Sequence, residues 1–312
     1  MADLQKLDKV TAMDLINEAL NNPGKRLEAY NAFYTFSLRN QMLAEWQMVM
    51  RGIEISPIKT FKQWKEYGRS VKKGEQAIAL LMPMFVNVPV NFDEQCKKVR
   101  NTIRDIKKDL KMDTDEPEEV ETEQRQIFVM RNYWFALSQT KAYKNTKDKT
   151  IKKLEKPSKT WTARRAMKNL KIKLIDFQYT NGNAQGYATK KGIAINPLAQ
   201  FPTKTAIHEM AHTILGHLKT PSYMFDVKSI REAEAEMTAY LVTSSLGLKG
   251  QEYQRQYIRS WLAGNKFPEA SALRVINAAN KILTAGQPSK KKNTKKSTKT
   301  TTAAKAAEKR AA

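Results

Sequence analysis

The sequence predicts an α+β chain of two domains followed by a low-complexity basic tail. Three observations carry this. With 312 residues, of which 41% are hydrophobic and 9% aromatic, the chain is long enough to bury two cores. Segments with apolar residues at helical spacing are interrupted by two apolar runs, 77–90 and 125–140, that read as strands. All three histidines fall in one stretch, KTAIHEMAHTILGH (204–217), which itself has helical character.

The elements follow in order. Thr11, with Asp14 three residues on, caps a first helix that ends near Asn22-Pro23-Gly24. Residues 26–50 place Tyr30, Phe33, Tyr34, Leu38, Met42 and Trp46 at helical spacing, up to Arg51-Gly52. Thr60 caps a short helix, TFKQWKEYG, stopped by Gly68. VKKGEQAIALLMPMFVNVPV turns at Lys-Lys-Gly and enters a strand, and RQIFVMRNYWFALSQT (125–140) rejoins the same sheet. Between them, 93–124 is a charged insertion with a basic first half and an acidic second half, DTDEPEEVETE. Thr162 opens a further helix, and FQYTNGNAQGYATKKGIAINP forms a hairpin turning at Lys190-Lys191-Gly192. Helices then cover the histidines, about 230–246, about 250–264 and about 267–284. The expected organisation is an N-terminal α+β domain (1–145), a basic linker (146–160), a C-terminal domain (161–285) and a disordered Lys-rich tail (286–312).

Composition narrows the partners. Lys and Arg number 55 against 31 Asp and Glu, a formal charge of +24. The basic residues are grouped, in 141–173 and after Ser289, as in a surface or arm that meets a polyanion. Nucleic acid is the commonest such partner. A single cysteine, Cys96, excludes an internal disulfide framework and a multi-cysteine zinc site, and fits a reducing compartment. MADLQKLDKV has no apolar core of a signal peptide, and the apolar run 77–90 is too short to cross a bilayer as a helix. The expectation is a cytoplasmic protein with no membrane partner.

The histidine stretch points to a metal. His208 and His212 are four apart, so on a helix both imidazoles reach one ion. Glu209 beside them suits a general base toward a water polarised by Zn2+. A third protein ligand is needed. HExxHxxGxxH would put Gly at 215 and His at 218, and both are Leu. The gluzincin arrangement takes a Glu from the next helix, SIREAEAEMTAYLV (229–242). Glu232 fits as that ligand, with Glu236 four residues on orienting a histidine from outside or standing in as the alternative ligand. Ser229-x-x-Glu232 also reads as a capping box. Glu234 reads as solvated. His217 lies five residues past His212, off the shared face and after Gly216, and its role stays open. GIAINP (192–197) suits an edge strand that receives a substrate chain, and equally an ordinary core strand.

In the amino-terminal half, TFKQWKEYGRSVKKGE (60–75) interleaves aromatic residues and cations, a pattern that suits single-stranded DNA. Trp64 could stack a base, although its spacing from Phe61 equally makes it the core face of a short helix. Arg69, Lys72 and Lys73 are the candidates for phosphate contact.

NAFYTFSLRNQMLAEWQ (31–47), TFKQWKEYGRSVKKGEQAIALLMP (60–83) and YWFALSQT (133–140) together resemble the N-terminal domain of ArdC-type antirestriction proteins. HEMAHTILGH followed by REAEAEMTAYL resembles their C-terminal metallopeptidase domain. The resemblance covers most of residues 10–250. It implies single-stranded DNA binding by the first domain, a zincin-like fold of gluzincin type for the second, and protection of incoming plasmid or phage DNA from host restriction. It carries over to His208, Glu209, His212 and Glu232. The chain departs from the family in its insertion, in the spacing after His212 and in its tail. Three functions compete. One is a DNA-bound zinc metallopeptidase acting on an unidentified protein substrate. A second is a single-strand-binding protector whose metal site does no catalysis, and a third is a zinc protease that cleaves a regulatory protein. Intact HExxH favours an enzyme, and the basic surface favours DNA contact.

Overall fold

The computed structural model describes residues 10–89, 122–143, 161–178, 184–219 and 225–288. Nearly all of the expected insertion, the whole of the linker and the tail from Ser289 lie outside these residues. The described chain is α+β, as expected.

Three helices come first: α1 (Ala12–Asn21), α2 (Lys25–Phe33) and α3 (Leu38–Met50). Thr11 and Asp14 form the capping box anticipated for α1, with the Asp14 carboxylate accepting from the Thr11 N–H at 2.9 Å. The run 26–50 is two helices, not one. The Phe36 N–H donates to the Phe33 carbonyl at 2.8 Å, and Ser37 caps α3 by accepting from Asn40 N–H. This break swings Phe36 edge-on against Trp134, with ring centroids 6.2 Å apart. Cap and aromatic packing together outweigh a continuous helix.

The sheet region holds β1 (Ile58–Thr60), α4 (Phe61–Glu66), β2 (Arg69–Val71), β3 (Ile78–Pro89), β4 (Thr122–Ala136) and β5 (Thr140–Ala142). One antiparallel sheet runs β1-β4-β3, and β2 pairs with β5. Strands β3 and β4 pair from Ile78↔Trp134 out to Pro89↔Thr122, so they form a long two-stranded arm. Among the described residues only its root is buried, at Ile78, Ala79, Leu80 and Trp134.

The remainder comprises α5 (Ala163–Asn169), the hairpin β6 (Gly186–Thr189) and β7 (Gly192–Ile195), then α6 (Pro202–Leu215), α7 (Phe225–Leu246), α8 (Gln251–Gly264) and α9 (Glu269–Ala285). The hairpin turns where Lys190 and Lys191 were expected to place it. A Cβ on Gly192 would sit 2.4 Å from the Lys173 carbonyl oxygen, so only glycine lets the strand approach residues 173–175. Helix α7 is the axis. It packs on α6, α8, α9 and α2, and buries Ala233, Ala235, Met237, Ala239, Leu241 and Val242. No helix of the described residues is long and apolar enough to cross a membrane.

One hydrophobic cluster contains residues of α1 to α3 together with residues of α6, α7 and α9. Polar contacts cross the same boundary. The Tyr240 hydroxyl donates to the Ala19 carbonyl at 2.8 Å, and Asn280 accepts the Leu38 N–H at 2.8 Å. Glu269 accepts the Ala12 N–H at 2.6 Å, placing a carboxylate at the positive end of α1. Arg26 is buried against Glu45 and Gln41 and reaches Ser245.

Candidate metal centre

Helix α6 begins with Pro202 in its first turn, where the missing N–H is no loss. Ala206, Ile207, Met210 and Ala211 face the core, which turns His208 and His212 toward a cleft. Helix α7 crosses α6, and Glu232 and Glu236, four residues apart, share the face it presents there.

The three proposed ligands converge. His208 Nε2 and His212 Nε2 are 3.1 Å apart, and Glu232 Oε2 lies 3.4 Å from the first and 3.5 Å from the second. A metal about 2.0–2.1 Å from each donor in tetrahedral geometry would separate the donors by ~3.3 Å. The observed separations match that spacing, and two imidazole nitrogens with one carboxylate are the donor set of a catalytic zinc. The residues therefore fit a divalent transition metal.

The opposite edge of each ring is also engaged. His208 Nδ1 is 2.7 Å from Glu236 Oε2, and the other Glu236 oxygen takes Lys204 Nζ at 3.0 Å. Glu236 thus sits outside the ligand triangle, in the orienting position. Ser229 does not cap α7, which already starts at Phe225. Its hydroxyl instead accepts from Trp261 Nε1 at 2.7 Å, so the capping reading of Glu232 falls.

Electrostatics follow from this crowding. Burial alone would lower the His208 pKa, but hydrogen bonds to Glu232 and Glu236 prevail and push it up to about 9. Burial would raise Glu232, yet hydrogen bonds from His208 and His212 hold it well below the usual carboxylate range. Glu209 is buried, and burial pushes its carboxyl up against the opposing pull of both histidines. A carboxyl of raised proton affinity beside the ligand triangle is the kind of group that can exchange a proton there.

The cleft measures about 570 Å³ and is lined by β6, Phe201, Lys204, Thr205, the ligand triangle, Glu209 and Tyr253. Its strand wall is β6, not GIAINP. Strand β7 is enclosed, pairing with β6 on one side and on the other with residues 173–175, where Ile175 N–H donates to Ile193 O at 2.9 Å. Among the described residues that leaves β6 as the edge. Gly186 on β6 lies against Thr205 and Glu209: a Cβ there would be 2.7 Å from Thr205 Cγ2 and 3.3 Å from Glu209 Cγ.

Three other expectations need correction. Glu234 is not solvated. It is 2% exposed and hydrogen-bonded to His217 at 2.7 Å. Trp64 is fully buried, with its Nε1–H donating to Phe135 O at 2.8 Å, so it is core and no stacking surface. Arg69 is buried too, with Nε donating to Thr140 Oγ1 at 2.7 Å and Nη2 to Thr140 O at 3.1 Å. Its guanidinium ties β2 to β5 and does not face phosphate. Lys72 and Lys73 are at the surface, Lys72 donating to Ser138 O. Phe85 and Phe128 are 66% and 62% exposed on one face of the β3–β4 arm, at diagonal positions. Their signal, two aromatics two pairs apart in register, becomes visible only once the pairing is known.

Residues 7–135 match the family model for the N-terminal domain of anti-restriction factor ArdC. Among solved structures, the chain is similar to the antirestriction ArdC protein from R388 plasmid. For the metal-free form the identity is 15%, with 88% of this chain and 94% of that chain covered and a TM-score of 0.44. For the Mn(II)-bound form the identity is 14%, with 88% and 97% covered and a TM-score of 0.43. No curated protein matches.

Proposed function

We propose that this chain, whose residues 7–135 match the family model for the N-terminal domain of anti-restriction factor ArdC, is a single-stranded-DNA-binding zinc metallopeptidase that protects incoming plasmid or phage DNA in the cytoplasm of a host cell. The peptidase region is a zincin-like, gluzincin-type unit. The observation that carries this reading is the ligand triangle of His208, His212 and Glu232, with Glu209 buried beside it.

Bound there, Zn2+ would supply Lewis acidity toward a carbonyl oxygen. The chain's own groups do the rest. The β6 edge offers main-chain hydrogen-bonding groups to an extended peptide, aligning the scissile bond along the cleft. Glu209 removes a proton from the attacking water and returns it to the amide nitrogen as the C–N bond breaks. Glu236 and Lys204 hold the His208 ring in place.

DNA contact rests only in part on the residues the sequence suggested, since Trp64 and Arg69 are buried. Phe85 and Phe128 offer π-faces to bases, and Lys72 and Lys73 offer charge to phosphate. The grouped excess of 55 basic over 31 acidic residues favours protection by coating single strands over protection by proteolysis alone. Glu209→Gln separates the two. It should lower peptide hydrolysis by about 10²–10⁴-fold while single-strand binding stays unchanged. Transfer efficiency into a restricting host should then remain high. Full loss of protection in this variant, with DNA binding intact, would instead make proteolysis the protective step.

A further inference from the structure

His217 is the one histidine that the metal triangle leaves out, and the fold spends several contacts on placing it. Helix α6 ends at Gly216, whose φ of +77° lies in the left-handed region. The His217 N–H donates to His212 O at 3.1 Å and the Gly216 N–H to Thr213 O at 3.3 Å, the paired bonds of a Schellman motif. This reversal folds residue 217 back beneath the last turn, so its ring meets the His212 ring from behind. The two Nδ1 atoms are 2.9 Å apart, on the side of His212 away from His208 and Glu232. His217 Nε2 is 2.7 Å from Glu234 Oε2, and Arg274 Nη1 donates to Glu234 Oε1 at 3.2 Å. Arg274 also donates to Leu215 O at 2.7 Å, and Arg231 to His217 O at 3.1 Å. The His217 and Glu234 side chains are 5% and 2% exposed, so the contact between them is shielded from water.

Hydrogen-bond chemistry permits one assignment of protons here if His212 ligates through Nε2. That nitrogen must then be unprotonated, and the His212 proton sits on Nδ1. It is donated to His217 Nδ1, which must be an acceptor. The His217 proton is therefore on Nε2 and is donated to Glu234, whose carboxylate has Arg274 on its other oxygen. Each link fixes the next. The result is a carboxylate–imidazole–imidazole chain that ends on a ligand.

We infer that His217 is a positioning residue: anchored by Glu234 and Arg274, it fixes the tautomer and ring orientation of His212 for metal binding. The inference rests on the metal reading proposed above. His208 is oriented directly by a carboxylate. His212 is oriented by one through an intervening imidazole. Outer partners of this kind alter metal affinity by about 10–100-fold when removed.

The test uses the full chain, with zinc affinity measured by chelator competition and the visible absorption of the cobalt-substituted protein as a second readout. His212→Ala controls for the metal reading itself: if it binds zinc as well as the parent chain does, that reading fails and His217 has no ligand to orient. With that control passed, His217→Phe should weaken zinc by about 10–100-fold and change the cobalt spectrum. His217→Gln should restore both, because its carbonyl accepts from His212 Nδ1–H while its amide donates to Glu234. Parent-like affinity and spectrum in His217→Phe would overturn the inference. So would a His217→Gln protein that unfolds normally yet binds zinc as poorly as His217→Phe. If His217→Phe does not fold, Glu234→Gln decides. It keeps the shape and removes the anion, and undiminished zinc affinity there would overturn the inference equally.

Discussion

His208 carries the most direct pH signature. Its pKa is raised from 6.5 to about 9 in the metal-free protein by the two carboxylates that outweigh burial. Metal must displace that proton, so apparent zinc affinity should rise with pH and level off above about 9. The metal-free fold responds in the opposite sense. The stabilisation from protonated His208 is full below 6.5 and is lost as pH rises through about 9. Zinc titrations and thermal unfolding across that range check both, and an affinity flat with pH would contradict the assignment. At this scale the sequence was partly legible. Spacing alone singled out His208 and His212, because i,i+4 pairs share a helical face whatever surrounds them, whereas Glu232 was chosen from three glutamates by the gluzincin arrangement. It failed for Glu234 because periodicity says which face a residue occupies, not what covers that face. Arg274, some forty residues on, and the reversal at Gly216 supply the cover.

Elements show the same division. Caps, turns and helix ends were readable from Thr11, Thr60, Thr162 and the glycines because their signals are local. The edge strand was not. Strand β7 and strand β6 look alike in sequence, and only pairing with residues 173–175 makes β7 internal. Trp64 was ambiguous for a related reason: a tryptophan at helical spacing suits a core or a base. Its burial now separates two kinds of variant. Trp64→Ala should cost about 3–5 kcal/mol of stability and impair DNA binding only through unfolding. Phe85→Ala with Phe128→Ala should leave unfolding nearly unchanged and weaken single-strand binding by about 1–3 kcal/mol per base stacked. Denaturant unfolding and fluorescence binding assays distinguish them. Unaltered binding in the double variant would remove the β3–β4 arm from the DNA surface.

The whole molecule ties these elements together more closely than the sequence suggested. Length and composition proposed two units, and nothing local revealed that α1 to α3 share a cluster with α6, α7 and α9. Contacts between residues more than two hundred positions apart, such as Tyr240 to Ala19, leave no mark on periodicity. The shared core predicts one cooperative unfolding transition for the full chain, followed at the tryptophans and by circular dichroism. Arg26→Ala, which strands the buried Glu45 carboxylate, should lower that single transition by about 3–5 kcal/mol. Two separated transitions would mean that the halves fold independently. The account as a whole depends on the metal, and metal content is its most direct test. The purified parent chain and Glu209→Gln should each hold one equivalent of zinc, whereas His208→Ala and His212→Ala should hold none and Glu232→Ala much less. Loss of zinc from Glu209→Gln, or its retention in the histidine variants, would contradict the account.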